Sequence, residues 1–462
     1  TMSVIEEIVK HIKKTTFNDI PRDTVERQKD FLIDTLGVAL AGSRAPGVGE
    51  VIDFLKEMGG KKESSILVYG EKLPSFHAAM ANSLMAHSLD FDDMHEEAGI
   101  HANVCVIPAA LAMAEKMGEV DGRAFLTAII LGVDLVCRMG LSIPLSRGWH
   151  VTTTFGIFGA TVSSSKILDL DEKRILNALG IAYCQSSGNR QGRLEGALTK
   201  RLQPALASKD GVFSSILASK GITGPKEILE GDWGMFRLYG DPQYSEDKGK
   251  IIGSLKKDLG QAFLGDQLSI KPYPSCKATH TSIDAVLNIL EGNRITSEEV
   301  EEVEIFVSKG CYNTVGRPFE IRTNPQVDAQ FSIPYTVATA ILRGEVGLED
   351  FTESAIRESR RLEMTKRVKV YIDPNLKEPS SNVVNLQSQV ILKAGGRTYL
   401  HKSSISKGHP DRPMDREEIL SKFESCLRFG TSFPPERREK IFSTLLNIED
   451  VKDIRSIVRL LC

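Results

Sequence analysis

The sequence predicts a mainly α-helical protein, built from a large all-helical domain and a smaller α+β domain. Three observations lead to this prediction: helical periodicity punctuated by glycine in the first half, alternating β-branched runs between residues 300 and 403, and a length of 462 residues. One hydrophobic core rarely serves a chain this long. We therefore expect residues 1–265 to form the helical domain, completed by 405–462, and residues 266–404 to form the α+β domain.

Proline near the start and glycine at the end mark the helices of the first domain. An apolar-periodic stretch runs from Pro21 to Gly42, and this order of proline and glycine is typical of helix ends. The same pattern predicts helices over residues 121–140, 171–188 and 205–221.

Strand signals appear in the second half of the chain. Residues 300–308 and 368–372 alternate apolar and polar side chains, and residues 383–403 predict a hairpin that turns at Gly395-Gly396. Helical patterns occupy residues 281–290, 334–342, 416–429, 435–446 and 451–461. Two domains place a cleft between them, which is a common location of small-molecule sites.

The composition excludes several classes of function. A formal net charge of -3 and a pI near 6.3 give no reason to expect binding to nucleic acid or to an anionic membrane. No run of about 18 or more apolar residues predicts a membrane span, and the first residues lack a secretory pattern. Seven scattered cysteines without a C-x-x-C pair fit reduced thiols in the cytoplasm and offer no spacing for zinc or an iron-sulfur cluster.

The densest group of polar residues covers residues 87–97, with His101 shortly after it. If the preceding helix continues through this group, Asp90 and Asp93 share a face with His87. A solvated acidic helix end and a site for zinc or a hard cation are the competing interpretations. Acidic residues at a helix C-terminus oppose the helix dipole, which favours a functional reason for them.

Two further positions are candidates for chemistry. His150 lies between a Gly-Trp turn and a threonine-rich helix start, where it can project into a cavity or pack locally beside the capping residues. Lys200, next to Arg201, is a surface residue in one interpretation. Beside Asp90 in a dry cleft, it would instead be a fixed cation that orients a substrate carboxylate or donates a proton.

A proline-stiffened loop, KPYPSCKATH at residues 271–280, opens the predicted α+β domain. It presents Lys271, Lys277 and His280, which together indicate an anion site. A linker with incidental charges is the alternative.

Taken together and in this order, these segments resemble the MmgE/PrpD family. The resemblance covers essentially the whole chain, and its specificity comes from the ordered combination. The matching segments are HSLDFDD at 87–93 with PAALA at 108–112, GWH at 148–150 with TTFGIFGA at 153–160, ALTKRL at 197–202, GITGP at 221–225 with LEG at 229–231, KPYPSCKATH at 271–280 and QFSIPY at 330–335.

The resemblance implies an all-helical domain with an α+β lid, usually as a homodimer, with the active site in the cleft and no metal or organic cofactor. Family members include 2-methylcitrate dehydratase, cis-aconitate decarboxylase and an iminodisuccinate epimerase. Carried over by position, the family's active-site residues fall on Asp90, His101, His150, Lys200 and His280.

Four neighbouring positions are expected to contact the substrate. Lys271 and Lys277 would hold its carboxylates. The loop before His101 varies in length across the family, so that His95 is an alternative for the same role. Met94 stands where the cis-aconitate decarboxylases of the family carry threonine, which argues against decarboxylation.

The expected activity is dehydration of a 2-methylcitrate-like hydroxy acid, by proton abstraction next to a carboxylate. His150 and His280 are the expected proton donor and acceptor, and Asp90 would balance the charge of Lys200 or of a histidine. Epimerisation of a substituted succinate such as iminodisuccinate is the second interpretation, and cis-aconitate decarboxylation the third. A non-enzymatic binder of a metal or an anion, built on residues 87–101, is the alternative from another class.

Overall fold

A helical body carries a smaller α+β unit in the computed structural model, which describes residues 2–242, 247–379 and 383–462. Two short strands, β1 (Ser64–Ser65) and β2 (Lys72–Leu73), form an antiparallel pair within the body. The helices of the body are α1 (Val4–Lys14), α2 (Arg22–Gly42), α3 (Val48–Met58), α4 (Ser75–His87), α5 (Asn103–Met117), α6 (Gly122–Ser142), α7 (Val151–Ile167), α8 (Glu172–Tyr183), α9 (Gln191–Glu195), α10 (Thr199–Ser219), α11 (Met235–Leu238) and α12 (Lys248–Lys256).

Helices α5, α6 and α7 form the centre of the body and are buried along almost their whole length. Gly132 of α6 and Gly159 of α7 lie where two of these helices touch. A Cβ atom on Gly159 would lie 2.3 Å from Cγ2 of Val136 and 2.7 Å from the carbonyl oxygen of Gly132. The absence of a side chain therefore allows the close approach of α6 and α7.

The α6 helix is long and apolar enough to cross a membrane by length and composition, with a mean hydropathy of 1.9 over an 18-residue window. However, 83% of that window is buried inside the protein. Asp134 and Arg138 interrupt its apolar run and form a buried ion pair at 2.7 Å. Such burial is typical of a core helix, because a membrane span presents its apolar side chains to lipid.

The α+β unit has a hydrophobic core of its own. Its strands are β3 (Val300–Val307), β4 (Val368–Ile372), β5 (Ser388–Ala394) and β6 (Arg397–Ser403), in the order β4-β3-β5-β6. The β3–β4 pair is parallel, and the other neighbours are antiparallel. The helices of this unit are α13 (His280–Asn293), α14 (Lys309–Cys311), α15 (Pro325–Gln330), α16 (Ile333–Arg343), α17 (Glu353–Ile356) and α18 (Ser359–Thr365).

After the sheet, the chain returns to the helical body through α19 (Arg416–Gly430), α20 (Pro435–Leu446) and α21 (Arg455–Leu461). Ile419, Phe423 and Leu427 of α19 belong to the same hydrophobic cluster as the buried residues of α2. The domain boundaries given above remain predictions. The packing of α19 against α2 provides a way to test whether residues 405–462 complete the helical domain.

The predicted fold class, mainly α with a smaller α+β unit, is confirmed. The hairpin also turns at Gly395-Gly396 as predicted. The helix predicted from residue 205 begins earlier, at Thr199, so that Pro204 lies inside α10. Proline has no backbone N–H, and the carbonyl of Lys200 therefore lacks its usual helical donor. The helix predicted over 171–188 ends at Tyr183, and Gly188 adopts a φ of +117° in the turn that follows.

We predict that Gly430→Ala strongly destabilises the protein. The added methyl group would lie 2.0 Å from the carbonyl oxygen of Leu40 in α2, and such overpacking costs about 1–3 kcal/mol of unfolding free energy. The matched control is Gly253→Ala within α12, where a Cβ atom meets nothing within 4 Å, so that stability should be unchanged or slightly higher. Denaturant unfolding compares the two variants, and equal stabilities would contradict the packing of α19 on α2.

Candidate active site

The loop after α4 brings together most of the polar residues of the site. Helix α4 ends at His87, and Asp90 adopts a left-handed backbone conformation with a φ of +51°. Aspartate is among the few residues that tolerate this conformation. The predicted helical face shared by His87, Asp90 and Asp93 is therefore wrong. A solvated acidic helix end is wrong as well, because these three residues are at most 4% exposed.

Distant parts of the chain hold this loop in place. Backbone contacts include a two-way pairing between Met94 and Ser269, and side-chain donors to three carbonyl oxygens: Gln330 to Leu89 at 2.8 Å, Lys271 to Asp90 at 2.9 Å, and Lys422 to Phe91 at 2.8 Å. These donors come from the α+β unit, the segment that leads into it and α19 of the helical body. The loop is thus bonded to both parts of the fold.

The carboxylate of Asp90 lies between two lysines. Lys200 Nζ is 2.5 Å from Oδ1, and Lys271 Nζ is 3.2 Å from Oδ2. Burial alone would raise the pKa of Asp90, but Lys200 and Lys271 outweigh it and hold that pKa far below its usual range. Burial likewise opposes the charge of Lys271, yet Asp90 raises the pKa of this lysine. The group is therefore fully ionised and carries a net positive charge.

A second carboxylate, Asp92, bridges two histidines. Its Oδ2 atom lies 2.8 Å from Nδ1 of His87 and 2.9 Å from Nδ1 of His101, and the two rings are 5.0 Å apart between centroids. Despite burial, the histidines hold the pKa of Asp92 well below its usual value. Burial lowers the pKa of His87 to about 4, against the attraction of Asp92. Asp92 therefore fixes the orientation of both rings.

His150 caps the N-terminus of α7. Its Nδ1 atom is 2.6 Å from the hydroxyl of Thr153, and its ring lies 6.5 Å from that of His87. Burial first, and then the nearby His87 and Lys200, lower the pKa of His150 well below its usual value. The imidazole is therefore neutral at physiological pH and is able to accept a proton.

A small cavity of about 80 Å³ lies between the helical body and the α+β unit. Glu96 lies on its wall, where its Oε1 atom pairs with Lys277 Nζ at 3.1 Å and accepts a hydrogen bond from Ser269 at 2.6 Å. Seven of the residues predicted from the sequence line this cavity: Asp90, Met94, His101, His150, Lys200, Lys271 and Lys277.

Two other predicted residues are absent from the described lining. His280 is completely buried beside Tyr273, and its Nε2 atom lies 3.2 Å from the carbonyl oxygen of Ser275. Burial, together with Lys277 and Lys271, lowers the pKa of His280 well below its usual value. His95 is also buried, with a pKa lowered to about 4 by burial. Among the loop histidines, His101 rather than His95 reaches the cavity.

Sequence reasoning missed several residues of the site. Arg190 and Arg193, on and beside the short helix α9, line the cavity, and Asp92 lies directly behind it. The repeated aspartates of the D-F-D-D segment were a signal for Asp92. The two arginines, three positions apart in a glycine-flanked segment, were a weaker signal, because exposed arginines are common.

The side chains of His87, Asp92 and His101 also form a candidate metal-binding group, with ligand atoms within 4.8 Å of one another. Both Nδ1 atoms, however, lie 2.8–2.9 Å from the same carboxylate oxygen. The contact with His87 is a hydrogen bond, whereas Nδ1 of His101 has no partner in hydrogen-bond geometry among the described residues. Ligands bound at about 2.0 Å in a tetrahedral zinc site are about 3.3 Å apart, so these atoms lie closer together than metal ligands do.

Asp93 lies next to this cluster and is completely buried. Burial, followed by the charges of Asp92 and Asp34, raises the pKa of Asp93 to about 8, and a contact with Asn103 only partly opposes this shift. Asp93 is therefore mostly protonated at neutral pH, whereas Asp92 is ionised. Two adjacent carboxyl groups thus have different charges.

The fold and the cavity define a class of protein in which a helical body and an α+β unit enclose a small chamber rich in cations and histidines. Sequence profiles match this chain in two parts, the MmgE/PrpD N-terminal domain over residues 6–247 and the MmgE/PrpD C-terminal domain over residues 273–448. The chain belongs to the MmgE/PrpD family.

Several named relatives align with this chain over most of their length. Cis-aconitate decarboxylase of Aspergillus terreus is 26% identical, with 99% of this chain and 96% of the relative covered. The human cis-aconitate decarboxylase is 25% identical, with coverages of 99% and 94%. The 2-methylcitrate dehydratase of Salmonella typhimurium is 20% identical, with coverages of 90% and 88%. Both named activities are lyase reactions.

We predict that Asp92→Asn lowers kcat by about 100-fold or more, because an amide no longer favours the ring orientation and charge that Asp92 supports. The effect on KM should be small, since Asp92 itself is not part of the described cavity lining. Asp93→Asn is the matched control, because its amide resembles the protonated acid already present. Steady-state kinetics and the pH profile of kcat compare the variants, and equal losses in both would contradict the proposed division between the two carboxyl groups.

We also predict that Asp93→Asn stabilises the protein at alkaline pH. The pKa of Asp93 is about 8 in the folded chain and about 4 when unfolded, so wild-type stability falls as the pH rises between these values. The variant lacks this loss, and its melting temperature should exceed that of the wild type by more at about pH 8.5 than at about pH 5. A difference that is independent of pH would show that Asp93 is ionised in the folded protein.

Proposed function

We propose that this protein is a cofactor-independent lyase that moves a proton at a carbon next to a carboxylate of a small tricarboxylate. The observation that supports this proposal best is a neutral His150 in the same small cavity as Lys200 and Lys271. Removing a proton beside a carboxylate produces a carbanion with high negative charge. Cations fixed in advance around that charge lower the barrier without reorganisation.

In this scheme His150 accepts the proton from carbon. Lys200 and Lys271, held by Asp90, bind the carboxylate that takes up the developing charge. His101 lines the same cavity, with Nδ1 2.9 Å from the Asp92 carboxylate, and it is the candidate group to protonate a leaving group. This pairing of His150 with His101 replaces the expected pairing with His280, which lies outside the described lining.

Dehydration of a 2-methylcitrate-like hydroxy acid is the first candidate reaction. His150 would remove the proton, and His101 would protonate the hydroxide as the carbon–oxygen bond breaks. A relative named 2-methylcitrate dehydratase aligns with this chain over most of its length, which supports this candidate. Met94 lines the cavity as an apolar residue and is a suitable contact for a methyl group.

Decarboxylation of a cis-aconitate-like acid is the second candidate, because the relatives with the higher identities carry that name. The cavity wall also includes Val151, Phe331, Val384 and Leu386. A carboxylate that leaves as carbon dioxide loses its charge, and apolar surroundings favour that change. The electron pair of the broken bond stays on the carbon framework, and a proton donated by His101 would complete the reaction.

Proton NMR in deuterated buffer tests the proposal, with methylcitrate, citrate, cis-aconitate and substituted succinates as a panel. New alkene signals from a hydroxy acid indicate dehydration, and loss of a carboxyl group from cis-aconitate indicates decarboxylation. Deuterium uptake with an unchanged carbon skeleton indicates epimerisation instead. We predict that His150→Gln reduces the reaction by about 100-fold or more, whereas the control His401→Gln, in β6 and outside the described lining, leaves it unchanged.

Wild-type turnover in His150→Gln would remove this residue from the mechanism. Elemental analysis of the purified protein tests the competing metal-binding hypothesis. Stoichiometric metal, with loss of stability after chelation, would support a metal site at His87, Asp92 and His101 rather than the hydrogen-bonded arrangement.

A further inference from the structure

A second, larger cavity adjoins the one that contains His150. It has a volume of about 700 Å³, and its lining includes exposed residues of the α+β unit such as Arg317 and Glu320, so it opens to solvent. Arg193, Thr314 and Phe331 line both cavities. A molecule that moves from the outer cavity to the inner one therefore passes these three side chains.

The backbone around Arg193 is held from two sides. On one side, the Arg190 amide donates to the carbonyl oxygen of Gly148 at 2.9 Å, two residues before His150. On the other side, Asn324 of the α+β unit donates to the carbonyl oxygen of Gly196 at 2.6 Å. The position of Arg193 is thus fixed relative to both walls of the site.

The guanidinium of Arg193 is not neutralised by any of the described residues. It is half-buried, and it forms no ion pair or side-chain hydrogen bond with any of the described residues. Its charge nevertheless acts on residues of the inner cavity, because it contributes to lowering the pKa values of Cys276 and Arg190. A half-buried guanidinium without a partner is suited to a carboxylate supplied by a ligand, which it can bind through two parallel hydrogen bonds.

The charges of the inner cavity indicate the kind of ligand that it suits. Its described lining contains five basic side chains, Arg190, Arg193, Lys200, Lys271 and Lys277, against the carboxylates of Asp90 and Glu96. Asp90 pairs with Lys200 and Lys271, and Glu96 pairs with Lys277. The described lining is therefore basic overall, which suits a ligand with several ionised carboxylates.

We propose that Arg193 is a specificity-determining residue that binds the carboxylate directed toward the outer cavity and so selects tricarboxylates over dicarboxylates. This inference rests on the proposed function, since it places the substrate in the same cavity. The reacting end of the substrate lies among His150, Lys200 and Lys271, and Arg193 binds the opposite end. Arg193 therefore contributes to substrate affinity, whereas the proton transfer is carried out by other residues.

Equilibrium binding of two unreactive acids tests the proposal without requiring turnover. Tricarballylate carries three carboxylates, and 2-ethylsuccinate keeps the central one and one terminal one but has a methyl group in place of the other terminal carboxylate. We predict that Arg193→Gln weakens tricarballylate binding by about tenfold or more, the usual effect of losing a charged hydrogen bond, and changes 2-ethylsuccinate binding by less than about twofold. Isothermal titration calorimetry at fixed ionic strength measures both affinities.

Two variants serve as controls. Arg193→Lys keeps the charge but loses the paired donors, so it should recover part of the tricarballylate affinity. Arg317→Gln removes an arginine that lines the outer cavity only, and it should leave both affinities unchanged. Thermal unfolding establishes that Arg193→Gln is folded, which the absence of an internal partner leads us to expect.

Equal weakening of both acids by Arg193→Gln, equal effects of Arg193→Gln and Arg317→Gln, or wild-type protein that does not distinguish the two acids would each overturn the inference. These outcomes are separable from failure of the proposed function. If the wild type binds tricarballylate through Arg193 but turns over no acid in the NMR panel, the specificity assignment stands and the proposed lyase activity fails.

Discussion

The buried carboxylate of Asp90 between Lys200 and Lys271 is the interaction on which the rest of the site depends. An ionised group removed from water is costly unless it is paired and hydrogen-bonded, and loss of one partner from a buried pair typically costs about 3–5 kcal/mol. Here the pairing joins α10 of the helical body to the segment that leads into the α+β unit. The same pairing holds two ammonium groups at the wall of the cavity, so stability and binding chemistry depend on one set of contacts.

This arrangement constrains how a ligand reaches the cavity. Separation of the two bodies at Lys271 would expose or unpair a buried charge. The loop after α4 would also lose hydrogen bonds to Gln330 and Lys422. A route through the outer cavity and past Arg193 avoids these costs, because it leaves the ion pairs intact. The residues at this passage therefore influence both entry and selection.

The sequence predicted the elements of the fold better than the geometry of the site. Helices with proline at the start and glycine at the end, such as α2, depend on local chemistry that the sequence contains. The backbone at Asp90 does not, because its left-handed conformation is held by donors up to 331 residues away, such as Lys422 to Phe91. Family resemblance pointed to Asp90, His101, His150 and Lys200, which line one cavity, and their catalytic roles remain predictions.

His280 and Arg193 illustrate opposite difficulties of reasoning from sequence. His280 belongs to a segment whose lysines reach the cavity, but its ring is buried one layer behind them against Tyr273. Arg193 resembles an ordinary surface residue until the two cavities are seen to meet beside it. Both outcomes depend on packing between segments that are distant in sequence, and neither residue type nor spacing contains that information.

The contrast between Asp92 and Asp93 has a consequence for the assembly of the native state. A newly made chain at neutral pH carries both groups as carboxylates, yet the native state retains one of them as the neutral acid. At neutral pH the burial of Asp93 therefore contributes the uptake of about one hydrogen ion from the surrounding buffer to folding. The heat of folding accordingly includes a buffer ionisation enthalpy from this residue, so that the burial of Asp93 is coupled to the solvent.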